Sequence, residues 1–218
     1  MSRWRAGVTV MSAPIAAAAA TLGVVLATGV HRRLGATKAE AFATLPGDDL
    51  LPDAEIQNDR ARTVPASTEA VWPWIAQLGQ DKAGFYSFEF LENLAGCQIN
   101  GASTLHPEWQ DVKPGDVFRL HPEVAVRVAQ VDPGRALVLT SKGGEAPGET
   151  GFDITWAMTL VPMISESGEH ATRLHFRERY ATDRPSMRPT IELTSVISAL
   201  MTWRMMARIG ELSSTVDV

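Results

Sequence analysis

Carboxylates are the groups in this chain best placed to do chemistry. Glu89, Glu92, Glu108, Asp111, Asp116 and Glu178 stand in or beside apolar stretches. A carboxylate held in an apolar pocket has its pKa raised by desolvation and can shuttle a proton near neutral pH. Glu178 has the strongest individual case. Leu174, Phe176, Glu178 and Tyr180 alternate with Arg173, His175, Arg177 and Arg179, so period-two spacing puts Glu178 on the oily face of a strand. Buried glutamates are more often paired with an arginine or a tyrosine hydroxyl than catalytic. No catalytic residue is therefore assigned, and Glu178 stands as a candidate only. Glu92-Asn93 and Glu108 to Gln110 read as groups that cap loops and tie helices to a sheet.

Other chemistries lack their signatures. His31, His106, His121, His170 and His175 show no ligand spacing such as H-E-x-x-H, so no metal site is expected. There is no G-x-S-x-G elbow, and Cys97, the sole cysteine, has no histidine near it in sequence and reads as a small packed side chain. Lys142-Gly143-Gly144 has no following helix with Lys-Ser/Thr, which argues against a phosphate cradle. No cofactor is expected. Residues 1–38 hold five of the 20 basic side chains (Arg3, Arg5, Arg32, Arg33, Lys38) and none of the 25 acidic ones, which leaves the remainder at a net −10. Such a body repels phosphate backbones, so nucleic acid is excluded as a partner.

What the chain does offer is an aromatic region. Val71 to Gln110 holds Trp72, Trp74 and Trp109, three of the six tryptophans, together with Phe85, Tyr86, Phe88 and Phe90, sparsely interleaved with polar groups. A greasy, sparsely polar lining suits a pocket for an apolar small molecule. The candidate lining residues are Trp74, Gln77, Phe85, Tyr86 and Trp109 from this region, with Ile154, Trp156, Met158, Phe176 and Tyr180 from the strands. Leu200 and Trp203 join them from the last helix. Trp74, Trp156 and Trp203 are expected to meet in one place, with ordinary core packing as the competing explanation. Tyr86 and Tyr180 could each offer a hydroxyl to a ligand's polar end.

The elements that must position these residues follow from periodicity. Asp59 to Val64 reads as a strand. Ser67 then caps a helix whose apolar face is Val71, Trp74, Ile75 and Leu78, kinked by Pro73 and stopped at Gly79. Ser87 to Leu94 is a second helix, with Phe88, Leu91 and the adjoining Ala95 on one face and Gly96 at its end. Asp116–Leu120, Val124–Val128 and Ala136–Thr140 are short strands, with a turn at Asp132-Pro133-Gly134. Phe152 to Leu160 and Arg173 to Tyr180 alternate cleanly, as strands of an antiparallel sheet covered on one side only. Thr190 to Leu212 is a long helix with a stripe of Val196, Leu200, Trp203 and Ala207, enriched by Met201, Met205 and Met206.

Ala6 to Val30 is a run of 25 residues without a charge, flanked by Arg3 and Arg5 before it and His31, Arg32 and Arg33 after it. At about 1.5 Å per residue it is long enough for a hydrocarbon core of about 30 Å. The expectation is a single-pass anchor in the cell membrane, with the body on the cytoplasmic side. A cleaved signal peptide and an interfacial helix are the alternatives.

The motifs Gly35-Ala36-Thr37, Leu45-Pro46-Gly47-Asp48, Val71 to Trp74, Gln77 to Gln80, Gly84 to Ser87, Leu91-Glu92-Asn93 and Pro107 to Asp111 cover most of residues 35–116. With the element order, they resemble the START-like helix-grip superfamily (SRPBCC), which includes polyketide cyclases/dehydrases and lipid-transfer domains. The wording is similar to a membrane-tethered actinobacterial type. The resemblance implies an α+β helix-grip fold: a curved antiparallel sheet wrapped around a long C-terminal helix, with two shorter helices and the N-terminal transmembrane helix. It divides the chain into an anchor over 1–34, a linker over 35–56 and the helix-grip domain over 57–218. It implies a cavity and no particular reaction. The expected function is binding, transport or sequestration of a hydrophobic small molecule or lipid at a membrane engaged by residues 6–30. One alternative is a cyclase- or dehydratase-type enzyme on a polyketide-like or aromatic substrate. The other is a structural or regulatory membrane protein with a filled core. No pattern in the chain specifies an oligomeric state.

Overall fold

A computed structural model describes residues 17, 20–94, 96–142 and 151–215. Seven strands form one sheet in the order β1-β2-β7-β6-β5-β4-β3. They are β1 (Arg33–Leu34), β2 (Ile56–Val64), β3 (Val117–His121), β4 (Val124–Asp132), β5 (Ala136–Thr140), β6 (Asp153–Ile164) and β7 (His170–Ala181). Every pairing is antiparallel except β1 with β2. Register shifts in β3–β4 and β4–β5 mark bulges, which bend and twist that end of the sheet. Helices are α1 (residues 20–28), α2 (Lys38–Phe42), α3 (Thr68–Ala76), α4 (Glu89–Leu94) and α5 (Arg188–Ser213). The result is an α+β architecture in which α5 lies along β2 and against α3, consistent with a helix-grip arrangement.

Local chemistry explains the two helices that carry the aromatic region. The Ser67 hydroxyl accepts from Ala70 N–H and starts α3. Val71, Trp74 and Ile75 then bury completely against the sheet. Pro73 is accommodated inside the helix, and its carbonyl is shared by Gln77 N–H and the Gln110 side chain. α4 differs from expectation. It exposes Phe90, Leu91 and Leu94 and buries Glu92. Its orientation is set by polar brackets: Asn93 both donates to the Ile99 carbonyl (3.0 Å) and accepts from its N–H (2.8 Å), while Ser87 donates to Glu92. Gly84 lies close by at φ +74, where a Cβ would approach Ile99 within 2.5 Å.

The sheet is not covered on one side only. Thr155, Ala157 and Thr159 of β6 and Asp59, His175 and Arg177 of β2 and β7 point away from the main core, yet all are buried. Their cover is the segment expected to be a linker. Residues 35–52 form a strap across the outer face, with α2 fastened by a capping box between Thr37 and Glu40. Arginines at alternate positions of β7 hold it. Arg173 makes a two-pronged pair with Glu40 (2.7 and 2.8 Å). Arg177 reaches Asp48, Asp59 and the carbonyls of Glu40, Ala41 and Ala43, and Arg179 reaches the Asp48 carbonyl. The wet face of the strand is thus a clamp for backbone oxygens.

The buried face of α5 also departs from the predicted stripe. Ile191, Ser195, Ala199, Thr202, Met206 and Ile209 face inward, whereas Leu200 is 55% exposed. Small residues face the sheet there because the helix must approach polar side chains of β2, described below. The expected anchor over residues 6–30 falls largely on residues 6–16, 18 and 19, outside the described residues. Among the described residues no helix is long and apolar enough to cross a membrane.

Candidate functional site

α5 and the bent end of the sheet enclose a cavity of about 350 Å³. Its walls are mainly apolar and include Phe85, Val126, Ile154, Trp156, Met201 and Met205. Leu120, His121 and Val124 of the β3–β4 hairpin border it on one side, and Thr194 and Ile197 of α5 on the other. A chain of rings backs the wall, from Phe85 (tilted on Phe118) through Phe118 and Trp156 to Phe176 (edge-to-face), with centroids 6.3 to 6.4 Å apart.

One polar cluster interrupts this surface. Glu178 on β7 is buried, and it meets Arg60 on β2, also buried, at 2.8 Å. Ser198 donates to Oε1 of the same carboxylate, and Tyr180 donates to Oε2 at 2.9 Å. Asn58 Nδ2 approaches Oε2 at 3.4 Å and reaches the Ser195 hydroxyl at 3.0 Å, while Arg60 also donates to the Ser195 carbonyl. Ser195 and Ala199 are small because this cluster sits beneath them. Burial pushes the Glu178 carboxyl up, but the Arg60 guanidinium and the hydroxyls of Ser198 and Tyr180 outweigh it and hold the group below the usual carboxylate range. Burial and the neighbouring Glu178 charge push the Tyr180 phenol well up, so it stays a donor. Glu178 is therefore an ionised, fully partnered carboxylate, with none of the raised affinity for a proton expected of an acid–base group in a bare apolar pocket.

The candidate residues divide into groups. Phe85, Ile154, Trp156, Tyr180 and Glu178 border the cavity. Trp74, Tyr86, Met158 and Phe176 belong to the packed core, where Trp74 meets Tyr86 edge-on at 5.9 Å. Gln77 is a buried hub. Its amide donates to the Tyr86 hydroxyl (2.7 Å) and the Thr104 carbonyl, and its oxygen accepts from His106 N–H and Gln110. Tyr86 is thus committed to holding the 102–110 loop, and burial pushes its phenol up. Trp109 stacks on His106 at 4.2 Å in that loop. Leu200 faces outward, and Trp203 packs under Arg62, whose guanidinium lies 4.5 Å from its ring. The three tryptophans do not converge: Trp74 sits on the buried face of α3, Trp156 at the cavity and Trp203 on α5 beside β2.

Sequence reasoning missed Arg60, Asn58, Ser198 and the cavity face of α5. In Gln57-Asn58-Asp59-Arg60 every residue is polar, so alternation carries no contrast to say which side faces in. A second hollow, of about 490 Å³, lies between the end of α1, α2 and the outer sheet face. Its carboxylate, Asp59, is already held by His175, Arg177 and Gln57.

No family model matches this chain, and no curated protein matches it in sequence. Solved structures resemble it distantly. A protein from Thermobifida fusca is 17% identical, with 74% of this chain and 95% of that one covered at a TM-score of 0.44. Norcoclaurine synthase from Thalictrum flavum, in complex with dopamine and hydroxybenzaldehyde, is 15% identical with 81% and 97% covered at 0.42. Protein MLL2253 from Mesorhizobium loti is 16% identical with 74% and 99% covered at 0.39. Likenesses this loose carry nothing about activity. The class stands on the geometry alone: an α+β domain with a long helix laid on an antiparallel sheet and an apolar cavity between them.

Proposed function

We propose that this chain is a START-like helix-grip binding domain that takes a hydrophobic small molecule or lipid into the cavity between sheet and α5. The observation that carries the reading is the cavity itself: apolar on nearly all sides, with its one carboxylate, Glu178, fully partnered from within the protein. Transfer of an apolar ligand into such a space is favourable by about 25 cal/mol per Å² of apolar surface removed from water. Binding is favoured over catalysis because Glu178, the candidate carboxylate that borders the cavity, is held ionised by Arg60 rather than poised as an acid.

A membrane role is part of the proposal. The uncharged run 6–30 joins the domain through α1, where Val24 and Leu26 are exposed. Just beyond α1, His31 and Arg32 both reach Glu192 on α5, and Thr194 and Ile197 of the cavity lining follow within the next two turns. An anchor there would keep the cavity beside lipid-dissolved ligand and raise its effective concentration.

Native mass spectrometry of the full chain after gentle extraction tests the binding reading. A co-purifying apolar molecule is the expected result. A protein that carries none, and takes up none of a panel of added lipids and quinones, would overturn it in favour of a filled scaffold.

A further inference from the structure

The cavity's hydrogen-bonding character points to the polar end of its ligand, and this rests on the binding function just proposed. Five hydroxyls border the space: Ser141, Tyr180, Thr194, Ser198 and Thr202. Four are already spent as donors to the protein itself. Tyr180 and Ser198 donate to Glu178, Thr194 to the Thr190 carbonyl at 2.9 Å, and Ser141 to Asp153 at 3.2 Å. A hydroxyl that has given its proton to a neighbour offers an incoming ligand only oxygen lone pairs. The polar cluster thus presents acceptor oxygens backed by a carboxylate. Arg60, the balancing charge, is fully buried and is not one of the residues that line the cavity. Among the described residues Glu178 is the only carboxylate that borders the cavity. The indole N–H of Trp156 is buried without a hydrogen-bond partner, and the hydroxyl of Thr202 also borders the cavity. Trp156 neighbours Glu178 directly across the β6–β7 pairing.

We propose that the ligand is a neutral amphiphile whose polar end is an alcohol or phenol hydroxyl, and that amphiphiles ending in a carboxylate are excluded. A hydroxyl donates to the oxygen of Ser198 or Tyr180 and accepts from Thr202 or Trp156, matching both halves of the cluster. A ketone accepts but leaves the acceptor oxygens unpaired. A carboxylate brings a second negative charge against Glu178, in a setting where two such groups share a site only if one keeps its proton.

The test is a competition on the full chain, freed of detergent and incubated at pH 8 with equimolar dodecan-1-ol, dodecan-2-one and dodecanoate. Bound ligand is counted by native mass spectrometry. The alcohol is expected to be retained over the acid by about tenfold or more, the size of a buried like-charge penalty of one pKa unit, and to exceed the ketone. Glu178→Gln, if it folds, should abolish or reverse the preference for the alcohol over the acid, because the Arg60 charge is left without its counter-ion. Retention of the acid or the ketone at or above the alcohol by the wild-type chain overturns this proposal and leaves apolar binding intact. Retention of none of the three overturns both.

Discussion

Arg60 and Glu178 are the residues on which the interior turns. Each is buried, and each is tolerable only because the other is present. Glu178 was legible as a carboxylate on an oily strand face because Leu174, Phe176 and Tyr180 flank it in register. Its partner was not, because Arg60 ends the wholly polar run Gln57 to Arg60 and only the β2–β7 register brings the two together. Replacing Arg60 by Met should cost about 3–5 kcal/mol, since an unpaired carboxylate is left buried. Adding Glu178→Met to that variant should recover part of the loss. Urea denaturation of the two variants checks this, and a double variant less stable than the single one would contradict it.

At the scale of elements, most strands and helices were readable, but two faces were not. α5 was placed by its length and apolar content, yet its buried stripe runs through Ser195, Ala199 and Thr202, because the helix packs on a polar cluster where size matters more than hydrophobicity. The strap was unreadable for a related reason. Its affinity for the sheet lies in backbone carbonyls, which no side-chain pattern records, and in arginines that look like an ordinary solvated face. The Glu40–Arg173 pair makes the strap pH-sensitive. The Arg173 hydrogen bonds hold the Glu40 carboxyl down at about 2, against 4.5 for an unperturbed glutamate. A carboxyl with a lowered folded-state pKa stabilises the fold above its unfolded value, and that contribution fades as the pH falls from about 4.5 towards 2. Glu40→Gln should therefore be less stable than wild type at pH 6, with most of that gap closed at pH 2. Thermal melts across that range measure the difference; a gap that persists unchanged at pH 2 would contradict the assignment.

For the whole molecule, the aromatic region that suggested a pocket turned out to serve mostly as scaffold. Trp74, Tyr86 and Gln77 lock the α3 end of the domain, and the space they were expected to line opens instead between the β3–β4 hairpin, β6, β7 and α5. Composition shows that a chain is greasy; where a void remains depends on how far a helix stands off a bent sheet, which here depends on Ser195, Ala199 and the bulges of β4. The central claim is that this void receives an apolar guest. It is tested most directly by titrating a polarity-sensitive naphthylamine probe into the wild-type chain and into Val124→Trp, a half-buried lining position from which a large ring fills the space. The account predicts saturable probe binding that weakens by about tenfold or more, at least 1.4 kcal/mol, in a variant with unchanged circular dichroism. Equal probe affinity in the two proteins would contradict it.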